Sequence, residues 1–135
     1  MGIQLQLDHL GIAVANLDEA IRVYESLGLR CSHVETVDEQ KVRTATLPIG
    51  DTNLELLEPT EADSSIGKFL ATRGGGLHHI ALQVENIEEK LLELKKLGIR
   101  LIDETPRIGL GGSRIAFIHP KSTFNTLIEL VQRSS

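Results

Sequence analysis

The chain has 135 residues, a formal net charge of −5 and 41% hydrophobic residues, a size that predicts one domain with its own core. The acidic balance argues against a nucleic-acid surface, which needs a basic face, and 3% aromatics with no Trp leave no stacking platform for bases or sugars. No apolar run reaches the ~20 residues of a membrane span. The N-terminus shows neither a secretory leader nor a myristoylation site, since Gln6 stands where Ser or Thr is wanted. The single cysteine, Cys31, forms no internal disulfide, so a reducing cytoplasm is expected.

In chain order, Leu7 to Val14 alternates as a strand does. Asn16 is a good N-cap for a helix over about 17–27, with acidic residues in its first turn. Gly28 sits where a left-handed C-cap belongs. Strands are expected near 29–37, 42–49 and 52–58. In the connection from 59 to 76, Ser64-Ser65 caps a short helix through Leu70 and Gly74-Gly75-Gly76 forms a flexible joint. A strand follows from Leu77 to Val84, then an Asn86-capped helix over 87–97 with Ile87, Leu91, Leu94 and Leu97 on one stripe. Gly98 ends it, and strands near 99–104, 113–119 and 126–132 complete the chain.

The two halves repeat. HLGIAVANLDEAIRVYESLGLR (9–30) aligns without a gap with HIALQVENIEEKLLELKKLGIR (79–100), with seven identities in 22 positions. A second block, TNLEL (52–56), matches TLIEL (126–130) at a slightly larger offset. Matching order and matching turn residues point to duplication of a βαβββ unit. Modules of about 5–58 and 77–132 are expected to form one α+β domain, because neither half looks large enough to cover its own sheet face.

Strand parity sorts the chemistry. Leu10, Ile12 and Val14 share the face that packs under a helix, as do Ile80, Leu82 and Val84, which leaves His9 and His79 on the opposite face. Glu55 and Glu129 each interrupt an apolar strand away from the helix-facing residues. A carboxylate within a sheet face is costly unless paired or metal-bound. Two imidazoles and two carboxylates balance a divalent cation, and such mixed ligands suit Co, Ni, Zn, Mn or Fe(II) with two positions left for substrate. Taken singly, a strand His is more often a hydrogen-bonded structural residue and a strand Glu more often faces water; the duplicated pair favours the metal.

The remaining candidates carry less. His78 has the parity opposite to His79 and reads as structural or supporting. His33 reads as solvated, His119 before Pro120 as turn structure, and Cys31 as filler. The loop 108–114 is Gly-rich without the Lys-Ser/Thr ending of a phosphate loop. It reads either as a hairpin connection or as a flap whose N–H groups approach an anionic ligand.

The repeated βαβββ units with His9, Glu55, His79 and Glu129 resemble the vicinal oxygen chelate superfamily, which includes glyoxalases, bleomycin-resistance proteins and extradiol dioxygenases. The stretches DHLGIAV, LELLEPTEADSSIGKFL, GGGLHHIALQVENIEE and GGSRIAFIHPKS…LIEL are similar to its methylmalonyl-CoA epimerase branch. That resemblance implies a curved, barrel-like mixed sheet around one divalent metal, often cobalt, held by residues matching His9, Glu55, His79 and Glu129. Some epimerases carry Gln at the Glu55 position. The resemblance also implies a homodimer acting on methylmalonyl-CoA, with C2 inverted through a metal-stabilised enediolate and Glu129 as one acid/base group. A Glu that serves as the second such group in some members is replaced here by Thr44, and Arg43 is either a CoA-phosphate contact or a solvated strand residue. The competing readings are a glyoxalase I-type lactoylglutathione lyase and a bleomycin-resistance-type binding protein, with an extradiol dioxygenase fitting least.

Overall fold

The computed structural model describes residues 5–134, so the segment read above for targeting signals lies mostly outside the described residues. The chain divides into two compact units, His9–His78 and residues 79–134 with 5–8. Among the described residues no helix is long and apolar enough to cross a membrane. The elements are β1 (Gln6–Ala13), α1 (Leu17–Ser26), β2 (His33–Val37), β3 (Val42–Ile49), β4 (Thr52–Pro59), α2 (Ser65–Arg73), β5 (Gly76–Gln83), α3 (Ile87–Lys96), β6 (Arg107–Ile108), β7 (Arg114–Ile118) and β8 (Ile128–Gln132). This is the α+β arrangement of two βαβββ modules.

The N-terminal unit has strand order β2-β3-β4-β1. β1 runs parallel to β4, with Gly11 opposite Glu55, while β3 is antiparallel to both β2 and β4. Asn16 caps α1 by accepting from the Glu19 N–H at 3.0 Å. The helix lays Leu17, Ile21 and Tyr24 on a face of Ile12, Val14, Ala45, Leu47 and Leu56. Leu17, Leu47 and Leu56 are fully buried, and each contributes about 1.5–3 kcal/mol by leaving water.

The C-terminal unit repeats this with order β5-β8-β7-β6. β5 is parallel to β8, with Ala81 opposite Glu129. Asn86 caps α3 through the Glu89 N–H, again at 3.0 Å. Ile87 and Leu91 pack on Val84, Ala116, Ile118 and Leu130. In this unit Arg133 also grips the buried Asp8, with Nε 3.0 Å from Oδ1 and Nη2 2.6 Å from Oδ2.

One expectation needs correction. The strand near 99–104 is absent; Leu101 makes one isolated bridge to Ile118, and the edge strand is the two-residue β6 instead. The cause is Asp103, whose carboxylate rather than a backbone carbonyl accepts the Phe117 N–H, at 2.8 Å. Of the three glycines in the joint, Gly74 and Gly75 precede β5 and Gly76 is its first residue. Gly74 is the left-handed C-cap of α2, its N–H bonded to the Leu70 carbonyl at 2.8 Å. Gly75 has φ +111°, and a Cβ there would lie 3.0 Å from the Ala13 carbonyl oxygen, so a side chain would be both strained and crowded. Ser64 caps α2 as expected, through the Gly67 N–H.

Candidate metal and acid–base site

Each unit carries a buried imidazole–carboxylate pair on the sheet face away from its helix. In parallel ladders, residues in register point to the same side. Glu55 registers with Gly11, two residues after His9, and Glu129 with Ala81, two residues after His79. The small residue beside each glutamate leaves space for it to reach the histidine. His9 Nδ1 lies 3.3 Å from Glu55 Oε2, and His79 Nε2 lies 2.9 Å from Glu129 Oε1. All four side chains are at least 94% buried.

These distances and donor types suit a metal. Two ligand atoms at about 2.1 Å from an ion and at right angles lie about 3 Å apart, as these nitrogen–oxygen pairs do. Imidazole with carboxylate is a donor set for a divalent transition metal.

The same faces hold further functional groups. In the N-terminal unit Thr46 registers with Glu55 and His33 with Thr46, while Thr44 stands opposite Leu57 and Glu35 opposite Thr44. Thr44 is buried, and its hydroxyl donates to the Glu35 carbonyl at 3.2 Å. Glu35 is therefore the titratable side chain directly across the ladder from Thr44, and its Oε1 lies 2.9 Å from His33 Nε2. In the C-terminal unit Phe117 registers with Glu129 and sets its ring edge-on to His79, centroids 5.8 Å apart. Arg107, opposite Ile115, reaches back over Phe117 with its guanidinium carbon 5.6 Å from the ring centre.

The weaker candidates resolve individually. His33 is largely exposed, as its polar segment suggests, but paired with Glu35. His119 caps a 3-10 turn, its Nδ1 accepting from the Lys121 N–H at 3.1 Å, which makes it the turn residue expected. His78 sets its ring edge against Phe69 at 4.9 Å. Cys31 is half-buried, with Sγ 3.6 Å from the His33 carbonyl oxygen. Arg43 is held by Asp18 at 3.2 Å and Glu58 at 3.5 Å. The Gly-rich loop is the hairpin between β6 and β7, with Gly109 N–H bonded to the Ser113 carbonyl and Gly111 and Gly112 at positive φ. Phe117 and Arg107 were not singled out by the sequence. With a strand expected at 99–104, Arg107 fell into a loop and had no parity to read.

Residues 8–117 match the family model of the Glyoxalase/Bleomycin resistance protein/Dioxygenase superfamily, and the chain belongs to that superfamily. A Bacillus subtilis protein, the uncharacterised YqjC, is 46% identical over 94% of this chain and 91% of its own. The human mitochondrial methylmalonyl-CoA epimerase is 38% identical over 94% of this chain and 73% of its own. The solved structure of the Streptomyces coelicolor methylmalonyl-CoA epimerase with 2-nitronate-propionyl-CoA superposes with a TM-score of 0.93. It is 39% identical over 96% of this chain and 95% of that one.

Proposed function

We propose that this protein is a metal-dependent epimerase that interconverts (R)- and (S)-methylmalonyl-CoA by removing and returning the C2 proton. The observation that carries the reading is the buried His–Glu pair repeated in both modules at cis-ligand spacing. Likeness to methylmalonyl-CoA epimerases over nearly the whole chain supports the substrate.

In this reading His9, Glu55, His79 and Glu129 hold one divalent ion, with Co²⁺ favoured and Ni²⁺, Mn²⁺ or Zn²⁺ as alternatives. When bound, the ion supplies a Lewis acid that lowers the cost of negative charge on the thioester and carboxylate oxygens of the substrate. Glu129 takes the C2 proton on one face, which a carboxylate in a water-poor site does better than one in bulk solvent. Phe117, edge-on to His79 and in register with Glu129, sets an apolar ring beside this pair. The chain works as one domain in a cytoplasmic homodimer.

The test is proton NMR of methylmalonyl-CoA in D₂O, with protein stripped of metal and then resupplied with Co²⁺. The expected outcome is metal-dependent loss of the C2 signal far above an enzyme-free control, with inversion confirmed in a coupled mutase assay. No acceleration with any divalent metal would reject the reading and direct the next assay to methylglyoxal with glutathione.

A further inference from the structure

We propose that Arg107 is an anion-binding residue of the substrate site, taking a carboxylate or phosphate group of the acyl-CoA; the inference rests on the acyl-CoA reading above. Arg107 lies on β6 opposite Ile115. Ile115 belongs to the small apolar cluster with Ala81, Val131 and Phe117, which is the face that carries His79 and Glu129. The guanidinium is therefore on the side of the sheet where the metal-type donors sit.

Its position is fixed from two directions. Asp103 accepts from Nε at 3.1 Å and from Nη2 at 3.3 Å. The Phe117 ring, itself edge-on to His79, lies beneath the guanidinium carbon. Asp103 is in turn tied down by the Phe117 N–H. A guanidinium has five N–H donors, so two directed at Asp103 leave three for a ligand. Asp103 and Phe117 thus hold the planar fork before a ligand arrives, which reduces the side-chain entropy lost on binding. The basic side chains of Lys95 and Lys121 have no comparable support, the first meeting Glu104 across exposed surface and the second lying exposed on a turn.

Oxyanions of two origins fit this fork, the acyl carboxylate and the CoA phosphates. They are separated by calorimetric binding of malonyl-CoA, which has both, and propionyl-CoA, which has only the phosphates, to the cobalt-loaded protein. Arg107→Gln is expected to weaken malonyl-CoA binding about tenfold or more, the scale of a hydrogen bond between charged groups. If propionyl-CoA weakens equally, the anion is a phosphate; if it does not, the anion is the carboxylate. Arg107→Lys should recover part of the loss, because it restores the charge without the fork. Cobalt affinity should be unchanged and the thermal midpoint only slightly lower in both variants, which separates a ligand contact from disturbance of Phe117 and His79. Unaltered affinity of the Gln variant for both esters would overturn the inference. Failure of the wild type to bind either ester would instead reject the acyl-CoA reading on which it rests.

Discussion

In the N-terminal module the side chain that accepts the first helical N–H is Glu58, at 2.9 Å from Leu17 N; in the C-terminal module it is Gln132, at 2.8 Å from Ile87 N. Beside each stands an arginine on the neighbouring strand that reaches a first-turn acid: Arg43 to Asp18, and Arg114 to Glu88. The helix starts therefore share one design, with a side-chain oxygen on the first helical N–H and an arginine beside it on a first-turn acid. The site faces have not. Where Thr46 flanks Glu55, Phe117 flanks Glu129; where Thr44 lies one row on, Ile115 does; and at the edge Glu35 occupies the place of Arg107. The supports of the fold have stayed alike, while the outer part of each site face has become polar and acidic in one module, apolar and basic in the other. The two His–Glu pairs, joined through Nδ1 in one module and through Nε2 in the other, are thus set in different surroundings, a condition for asking them to do different work.

The most severe way to test that division is to treat the two glutamates alike. Glu129→Gln should cut metal-dependent C2-proton exchange by about 100-fold or more, the usual worth of a positioned acid/base group, and weaken metal binding. Glu55→Gln should be milder, because an amide oxygen still ligates a cation while contributing no charge; about tenfold weaker Co²⁺ binding with measurable exchange is expected. Equal effects of the two substitutions would erase the functional distinction between the modules.

The structural equivalence predicts matched effects instead. Leu17→Ala and Ile87→Ala remove fully buried side chains at the same helical position. Each should lower unfolding free energy by about 2–5 kcal/mol in a denaturant titration. Smaller again, Asn16→Ala and Asn86→Ala should each cost about 1 kcal/mol by the same measurement. The smallest effect concerns charge. The Arg114 hydrogen bond, with its charge second, holds the Glu88 carboxyl below its usual value of 4.5. Because the folded value is the lower one, the pair stabilises above the ordinary glutamate range and stops doing so as pH falls through the folded value. The stability lost in Arg114→Gln should therefore be slight near neutrality, shrink in acid and diminish with salt; a deficit that grows in acid would contradict this sign.

Much of this was legible in the sequence because it depends on local rules. Asn16, Asn86, Ser64, Gly28 and Gly98 mark helix ends through backbone geometry alone, and period-two parity was enough to place His9 and His79 opposite the helix-facing residues. Register is not local. That Glu55 meets Gly11 and Glu129 meets Ala81 follows from pairing between strands more than 40 residues apart, so the carboxylate–imidazole distances had to come from the structure. The strand expected at 99–104 failed because Asp103 looks tolerable in a strand until its carboxylate is seen taking a backbone N–H. Arg107 and its stacking on Phe117 were hidden by that same error.

Arg133 and Asp8 are 125 residues apart in sequence and joined side by side. During synthesis Asp8 leaves the ribosome long before Arg133 is added, so this ion pair forms only after β8 has been made. Non-local closure of this kind is slow compared with the turns and caps that form within each helix. A nascent chain can assemble α1 against its strands and still present the start of β1 to chaperones and proteases. Protection of that segment therefore reports that the chain has been made through β8.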